Sequence, residues 1–304
     1  MNDKYNNPYK IAIITPVYNR KKDLERLFQS LNCQTNKHFV WLIIDDGSFP
    51  TLKSIVSKWR KTATFIIFYH YQNNMGKMHA YKNAVNLINT DWSIVVDSDD
   101  WVDKNTISIL DNVVSELSNK NIGIVFPKRM RNDDSKKWKN VPSQINLIAL
   151  RYQYGIKESA ILLRHSVLIQ AFSKLKLPSE KFISEEILYN YLIKKGRFKT
   201  NSNIFYNAEY QIDGLTNNVF NLWLKSPQST LMLLKSRYES MSTLPFKFKI
   251  VGKVKTILNL NAFCLVNKNN LWVETPNRVL STVLFLPSLL FKEVRFNGSK
   301  RKNV

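Results

Sequence analysis

The chain has 304 residues, of which 44% are hydrophobic, so it can form a sizeable core and is not wholly disordered. Its two cysteines, Cys33 and Cys264, are far apart, which excludes a disulfide framework and a zinc site of clustered Cys and His ligands. The net charge of +22 indicates an anionic partner, which leaves nucleic acid, an anionic membrane surface or a phosphorylated substrate open.

Strand and helix signals alternate over the first 126 residues. Short apolar runs predict strands, and apolar residues that recur at i, i+3, i+4 and i+7 predict helices. The predicted strands are Lys10–Thr15, Phe39–Ile44, Phe65–Tyr69, Trp92–Val96 and Ile122–Phe126. The predicted helices between them contain the apolar residues Leu27, Val56, Ala84 and Val113. This order predicts an α/β fold with a mostly parallel central sheet and helices on both faces.

Two changes of pattern follow this region. Residues 127–140 are polar, basic and without periodicity, so we expect a mobile loop that closes over bound substrate. Beyond about residue 221 the pattern becomes helical and basic.

The predicted strand Trp92–Val96 runs directly into Asp97-Ser98-Asp99-Asp100. Carboxylates so close together raise one another's pKa unless a cation lies between them. Their oxygens suit Mg²⁺ or Mn²⁺, which is usually shared with a substrate phosphate. An acidic turn with Asp100 as the cap of the next helix is the alternative. A cap needs only one acid, so the cluster favours a metal–diphosphate site.

Three further polar segments adjoin predicted strands or helices. Thr15–Arg20 follows the first strand and offers the Tyr18 ring together with hydrogen-bond donors. Asp45–Ser48 follows the second strand, where a carboxylate can accept from a base or a ribose and Ser48 can cap a helix. Gly76-Lys77 opens the third helix, whose backbone N–H groups and dipole attract anions. Any one of them could be an ordinary turn, but together they predict one site at the sheet edge.

These four segments resemble the GT-A domain of family 2 glycosyltransferases over roughly residues 8–215. Those enzymes are inverting and use nucleotide-diphosphate sugars. The resemblance implies a Rossmann-like nucleotide-sugar-binding half at 1–126 and an acceptor-binding half with the catalytic base at 127–220. A basic helical region follows at 221–304.

The resemblance also implies the donor site. The residues assigned to the donor nucleotide are Thr15, Pro16, Tyr18, Arg20, Asp45, Asp46, Gly76, Lys77, Asp97 and Ser98. Asp46 would bind the base, Asp97 would face the ribose, and Lys77 would neutralise diphosphate charge. Asp99, with Asp97 as a second ligand, would hold Mn²⁺ or Mg²⁺ against the diphosphate.

The family carries an acidic pair in its acceptor half, which Glu185 and Glu186 match. The resemblance implies that Glu186 is the catalytic base, with Glu185 as the weaker candidate. A helix N-terminus capped by Ser184 is the structural alternative, and both can hold at once. No histidine follows this pair, although many such enzymes give a late one to the metal. Either Asp99, phosphate and water suffice as ligands, or Asp213 takes its place.

The basic region carries a second signal. Residues 225–304 contain fourteen Lys and Arg against three Glu. The apolar run Val279–Phe291, broken by Pro287, has basic flanks and is shorter than the roughly 20 residues that span a bilayer. Such segments lie among anionic headgroups, and a helix packed on the catalytic domain is the alternative. Without an apolar leader at the N-terminus, we expect a cytoplasmic protein, peripheral on the inner face of the plasma membrane.

The sequence therefore predicts a metal-dependent inverting glycosyltransferase with a nucleotide-sugar donor, by resemblance a UDP-sugar. Glu209–Thr216 resembles a closing motif of enzymes that build bacterial surface polysaccharide, which implies a saccharide acceptor that is lipid-linked. A nucleotidyltransferase is one alternative, but Thr15–Arg20 lacks the glycines usual in its loop. A nucleic-acid-binding protein is another, but the predicted strands are apolar rather than basic and aromatic.

Overall fold

A computed structural model of the chain describes residues 5, 7–118, 121–130, 135–209 and 218–297. The chain forms two compact units. Unit 1 comprises Met1–Ile145, Tyr154–Lys176 and Lys195–Tyr210, and unit 2 comprises Asn146–Gln153, Leu177–Lys194 and Gln211–Val304. The predicted division into a donor half, an acceptor half and a basic region stays a prediction.

Unit 1 is built on a sheet that has ten strands among the described residues. The strands are β1 (Ile11–Val17), β2 (Val40–Asp46), β3 (Ile66–Gln72), β4 (Trp92–Val95), β5 (Trp101–Val102), β6 (Gly123–Arg129), β7 (Gln144–Ile145), β8 (Ser159–Arg164), β9 (Phe198–Thr200) and β10 (Tyr206–Asn207). Their order is β3-β2-β1-β4-β8-β6-β10-β5, and β9 pairs with both β6 and β7.

The first half of this sheet is parallel, because β1 pairs in parallel with both β2 and β4, and β2 with β3. The sheet becomes mixed beyond β4, where β8 lies antiparallel between β4 and β6. The predicted α/β fold is thus confirmed, with an antiparallel strand that the sequence pattern did not reveal.

Helices follow the strands in unit 1 and make up most of unit 2. Those of unit 1 are α1 (Lys21–Asn32), α2 (Lys53–Thr62), α3 (Lys77–Leu87), α4 (Thr106–Ser115), α5 (Ser135–Trp138) and α7 (His165–Lys174). Those of unit 2 are α6 (Leu147–Tyr152), α8 (Glu186–Leu192), α9 (Val219–Lys225), α10 (Pro227–Ser240), α11 (Phe246–Asn267), α12 (Leu271–Glu274), α13 (Arg278–Val283) and α14 (Phe285–Lys292). A 3₁₀ turn spans Met241–Thr243, and a π-helical turn spans Glu293–Asn297.

The apolar residues of the predicted strands and helices form the core of unit 1. β1 and β2 are buried along their whole length, as strands covered on both faces are. α1 buries Leu24, Leu27, Phe28 and Leu31, the face that its spacing predicts. The Phe28 ring stacks on Trp59 of α2, with ring centroids 4.7 Å apart. This packing fixes the carboxyl ends of the parallel strands, where the polar segments lie.

Several predicted boundaries in unit 1 are wrong. β1 continues through Pro16 to Val17, because a proline can occupy a strand position whose N–H is not needed by the ladder. Asp100 caps no helix, since Trp101 and Val102 form β5 and α4 begins only at Thr106. Ser48 does not cap α2, which begins at Lys53.

The predicted loop 127–140 is also shorter than expected. β6 extends to Arg129, and Pro127 pairs with Ser159 of β8. α5 occupies Ser135–Trp138, and residues 131–134 lie outside the described residues. Closure of this segment over a substrate stays a prediction.

Unit 2 confirms the predicted helical pattern beyond residue 221. Pro287 does not break the apolar run, because it lies in the first turn of α14, where its missing N–H costs little. Within the described part of the chain, no helix combines the length and the apolarity needed to cross a membrane.

The tight packing around Gly123 in β6 predicts that a side chain at this position lowers the stability of the fold. A Cβ at Gly123 would lie 2.8 Å from the Leu162 carbonyl oxygen and 2.8 Å from the Phe198 ring. Neither the backbone nor the buried ring can give way, so Gly123→Ala should lower the free energy of unfolding by about 1–3 kcal/mol. Gly196→Ala is the matched control, because its Cβ would lie nearest to the Ile122 Cγ2 methyl, at 3.0 Å, rather than to a backbone atom or an aromatic ring at 2.8 Å. Urea denaturation measures both, and equal stabilities would contradict the packing.

Candidate active site

The loops that follow β1 and β2 are tied together at the edge of the sheet. Asn19 adopts a left-handed conformation with φ of 53°. Its N–H donates to Ser48 Oγ at 2.9 Å, and its Oδ1 accepts from the Phe49 N–H at 2.9 Å. These bonds fix the loop that presents Tyr18, whose side chain is 50% exposed. A ring so placed offers a stacking face to a ligand.

Asp45 holds the turn after β2 from within the fold. Its Oδ1 accepts from the Ser48 N–H, and its Oδ2 accepts from the Leu52 N–H and the Tyr69 hydroxyl at 2.9 and 2.7 Å. Burial, together with the neighbouring carboxylate, raises the pKa of Tyr69. The Asp45 carboxylate is therefore engaged in shaping the loop.

Asp46 shapes the segment that presents Lys77. Its Oδ1 accepts from Gln72 Nε2 at 2.7 Å and from the Met75 N–H at 2.9 Å, and its Oδ2 accepts from the Gly76 N–H at 2.8 Å. Gly76 has φ of 93°, which a glycine adopts without strain, and α3 begins at the next residue. A base-binding role of Asp46 stays a prediction, and the contacts show it as the anchor of this loop.

The acidic cluster at the end of β4 is paired with the basic residues that the sequence assigned to the same site. Lys77 Nζ lies 2.6 Å from Asp97 Oδ1, and Arg20 Nη1 lies 2.8 Å from Asp99 Oδ2. Burial acts to raise the pKa of Asp97, but the charges of Lys77, Lys128 and Arg20 outweigh it and hold the pKa below its usual range. Asp97 is therefore ionised at neutral pH.

Two residues that the sequence did not single out complete this cluster. The Tyr206 hydroxyl accepts from the Asp97 N–H at 3.0 Å and donates to Asp100 Oδ2 at 2.8 Å. Lys128 Nζ lies 3.7 Å from the same Asp100 oxygen and 4.1 Å from the centroid of the Tyr206 ring. Burial raises the pKa of Asp100 to about 6, against the opposing charge of Lys128. Lys128 lies just beyond the predicted strand Ile122–Phe126, and no local signal marked it or Tyr206.

The remaining predicted donor residues lie deeper. Thr15 is fully buried, and its hydroxyl accepts from the Trp41 indole N–H at 2.9 Å. Pro16 pairs with Ile44 inside the sheet, and Ser98 is buried between the two acids of the cluster. The structure thus brings together Arg20, Lys77, Asp97 and Asp99, while the Thr15 side chain is buried and hydrogen-bonded inside unit 1.

The carboxylates at the end of β4 fit a metal that arrives with its substrate. Within the described ranges, no group of three or more His, Cys, Asp or Glu side chains is arranged to hold a metal ion. Asp97 and Asp99 offer two carboxylates, and Mg²⁺ is commonly held by one or two carboxylates together with substrate phosphates. Asp213, the predicted further ligand, lies outside the described residues, as does most of Glu209–Thr216.

The predicted base lies in an ion pair within unit 2. Arg237 donates from Nε to Glu186 Oε1 at 2.5 Å and from Nη2 to Oε2 at 2.6 Å. Burial acts to raise the pKa of Glu186, but Arg237, with Arg151 nearby, lowers it. Glu186 is therefore a carboxylate at neutral pH, the form that a general base needs, although a low pKa weakens its pull on a proton.

The N-terminus of α8 carries both acids of the predicted pair, whose catalytic role stays a prediction. Ser184 Oγ accepts from the Glu186 N–H at 3.3 Å, but Glu185 occupies the N-cap position of α8, so the predicted Ser184 cap is wrong. Glu185 Oε2 accepts from the Tyr189 hydroxyl at 3.0 Å. The two acids thus have different partners, an arginine for Glu186 and a phenol for Glu185.

The Glu186–Arg237 pair predicts a measurable loss of stability. Arg237→Met would leave a largely buried carboxylate without its partner, so the free energy of unfolding at pH 7 should fall by about 3 kcal/mol. Because the pKa of Glu186 is lowered, this contribution is present above the ordinary glutamate value and is lost as the pH falls through the folded value.

Two comparisons make this prediction specific. Glu186→Gln combined with Arg237→Met should cost less than the sum of the single changes. Lys235→Met, which opens a more exposed pair on the same helix, should cost less than about 1 kcal/mol. Denaturation curves at pH 7 and pH 4 give the free energy of unfolding of the wild type and of the four variants. Additive effects would contradict the coupling.

Comparison with known proteins finds relatives of one kind. The chain is 27% identical over 184 residues to a Mycoplasma pneumoniae protein named as an uncharacterized glycosyltransferase, the MG060 homolog. That match covers 59% of this chain, which spans about half (56%) of the relative's length.

The fold is similar to two solved structures. The crystal structure of S. aureus TarS 1–349 in complex with UDP-GlcNAc matches with a TM-score of 0.61 and 15% identity, covering 95% of this chain and 92% of that one. The mannosyltransferase PcManGT of Pyrobaculum calidifontis, in complex with GDP-Man and Mn²⁺, matches with a TM-score of 0.54 and 12% identity, covering 96% and 89%. The family model for glycosyl transferase family 2 matches residues 12–174, more than half of the chain. The protein therefore belongs to glycosyl transferase family 2.

Proposed function

We propose that this protein transfers a sugar, with inversion, from a UDP-sugar to a saccharide acceptor. The observation that supports it most is the set of charge pairs at the end of β4. Lys77 and Arg20 lie within 2.6 and 2.8 Å of Asp97 and Asp99. Cations and carboxylates in alternation at one strand end suit a ligand that carries both a diphosphate and a divalent metal.

The donor half of the reaction would use residues of unit 1. Asp97 and Asp99 would hold Mn²⁺ or Mg²⁺, which neutralises charge on the departing nucleoside diphosphate when bound. Lys77 and Arg20, released from those carboxylates, would bind the diphosphate oxygens. Tyr18 would stack on the base, and the loop anchored by Asp46 would hold Lys77 in place. TarS supports UDP as the nucleotide, because its structure contains UDP-GlcNAc.

The acceptor half would use the acidic pair of unit 2. An inverting transfer needs a base that takes the proton from the acceptor hydroxyl as it attacks the anomeric carbon. Glu186 is ionised and oriented by Arg237, and it is our first candidate. Glu185 remains the second.

The acceptor is proposed to be a lipid-linked saccharide in bacterial surface polysaccharide synthesis, reached at the cytoplasmic face of the membrane. The basic helical region and the resemblance of Glu209–Thr216 to a polysaccharide-enzyme motif support this proposal. The family match favours sugar transfer over a nucleotidyltransferase or a nucleic-acid-binding protein.

Removal of one metal ligand tests the donor site. Asp99→Asn should lower turnover on the order of 100-fold or more, because several kcal/mol of leaving-group stabilisation go with the metal. Calorimetry should show that Mn²⁺ tightens UDP binding to the wild type but not to this variant. Asp23→Asn is the matched control, since Asp23 is the second carboxylate near Arg20, at 3.7 Å. Equal UDP affinity of the wild type in EDTA and in Mn²⁺ would contradict metal dependence.

Amide substitutions in the acidic pair test the base. Glu186→Gln should reduce sugar transfer on the order of 10²-fold or more, the usual loss for a general base, while UDP affinity stays unchanged. Glu185→Gln should retain more activity. A stable, inactive Glu185→Gln beside an active Glu186→Gln would reverse the assignment. If both variants transfer sugar at the wild-type rate, the acidic pair has no catalytic role.

A further inference from the structure

The last part of unit 2 consists of two short helices, α13 and α14, which meet at Leu284, and a π-helical turn that follows them. This segment runs from Arg278 to Asn297. The Leu284 N–H donates to the Leu280 carbonyl at 3.0 Å, and the Ser288 N–H donates to the Leu284 carbonyl at 2.9 Å. The first bond closes α13 and the second opens α14, so side chains three and four residues apart share one face within each helix.

Five aliphatic side chains form a solvent-exposed row on this segment, which we call the apolar stripe. Successive members are three or four residues apart, and each is between 69% and 76% exposed. They are Val279, Val283, Leu286, Leu290 and Val294. Single exposed apolar residues are ordinary, but a continuous row marks an interaction surface.

The opposite face of the segment holds small or buried side chains. Ser281 and Ser288 are fully buried, and Phe296 is 1% exposed. α14 packs against α11, and Asn261 Nδ2 of α11 donates to the Ser281 carbonyl at 3.0 Å. Serine lets the helices approach closely. The segment is thus fixed to unit 2 by two buried serines and by the Phe296 ring, while its exposed face carries aliphatic side chains.

We propose that the apolar stripe docks the protein on an anionic bilayer surface. Basic residues flank the stripe, with Arg278 at one end and Lys292 and Arg295 at the other, and Glu293 is the one acid of the segment. Residues 225–304 carry fourteen Lys and Arg against three Glu. Aliphatic side chains between cations match the boundary between acyl chains and anionic headgroups. The inference rests on the proposed function in that a lipid-linked acceptor lies at this surface.

Charge disfavours a second copy of the chain as the occupant of the stripe. A two-fold interface applies the same surface to itself, so the basic ends of the two helices would meet in either helix orientation. Like charges brought together oppose association, whereas phosphate headgroups neutralise them. The bilayer therefore satisfies both the apolar row and its flanks.

Vesicle co-sedimentation of the full chain tests the docking. The wild type should pellet with phosphatidylglycerol-containing vesicles at low salt and much less with pure phosphatidylcholine vesicles. A variant with Val283→Ser, Leu286→Ser and Leu290→Ser should have a vesicle partition coefficient lower by roughly tenfold or more, because the burial of methylene groups drives insertion. A variant with glutamate at the same positions should fall further.

A matched control separates the stripe from general charge effects. Gln29→Glu, Ser54→Glu and Ser57→Glu add the same charge at exposed positions of unit 1 and should leave pelleting near the wild type. The docking is overturned if the serine variant pellets like the wild type, or if the wild type binds neither vesicle. A wild-type dimer in light scattering that the serine variant loses, without vesicle binding, would assign the stripe to a second copy instead.

The donor site provides an independent readout on the same preparations. UDP binding should be equal in the wild type, the serine variant and the control, because none of the changes touches the donor residues. Loss of vesicle binding with intact UDP binding bears on the docking alone. Failure of the wild type to bind UDP with vesicle binding intact bears on the proposed function alone.

Discussion

Charge compensation at the carboxyl end of β4 is the constraint on which the donor site depends. Three carboxylates lie within four residues there, and each meets a cation from a different part of unit 1. The pairs are Asp97 with Lys77, Asp99 with Arg20 and Asp100 with Lys128. Each cation offsets the repulsion between neighbouring carboxylates, and Lys77 and Lys128 hold the pKa of Asp97 below its usual range. The parallel order of β1 and β4 is what allows this compensation, because it places their carboxyl ends side by side.

The same pairs would allow the proposed donor site to be stable before a ligand binds and to exchange partners when one does. A cation that already lies on a carboxylate is desolvated and oriented before any ligand arrives. A metal and a diphosphate bring charges of both signs, so Lys77 and Arg20 can exchange a carboxylate for phosphate oxygens without leaving either charge unpaired. Asp45 and Asp46 contribute in another way, because their oxygens hold backbone N–H groups of the surrounding loops. Asp45 and Asp46 thus shape the loops, while the ionic pairs belong to the proposed donor site.

The sequence predicted much of unit 1 because its signals are local. Apolar periodicity located the first strands and helices, and the family assignment from Thr15–Arg20, Asp45–Ser48 and Asp97–Asp100 is confirmed. Long-range partners were not predictable. Tyr206 reaches Asp97 across more than a hundred residues of chain, through the pairing of β10 with β6. The antiparallel β8 was equally hidden, since a buried strand has the same apolar pattern in either direction.

The contacts of each carboxylate were also beyond the sequence. Asp45 and Asp46 both accept hydrogen bonds from backbone N–H groups of neighbouring loops. The sequence alone does not show these bonds, because they depend on the loop geometry. Glu185 and Glu186 differ only by their position on α8, but that position gives one an arginine and the other a phenol.

The apolar stripe shows the same limit from the opposite side. Periodicity finds the helix and its aliphatic row, and the usual inference is that this row faces the core. Here Ser281 and Ser288 lie buried on the side that packs against unit 2, and the aliphatic row is exposed. The aliphatic row therefore faces solvent, which its composition alone does not predict. A sequence pattern can show that a helix has two chemically different faces, but only the packing shows which face is buried in the protein and which is exposed.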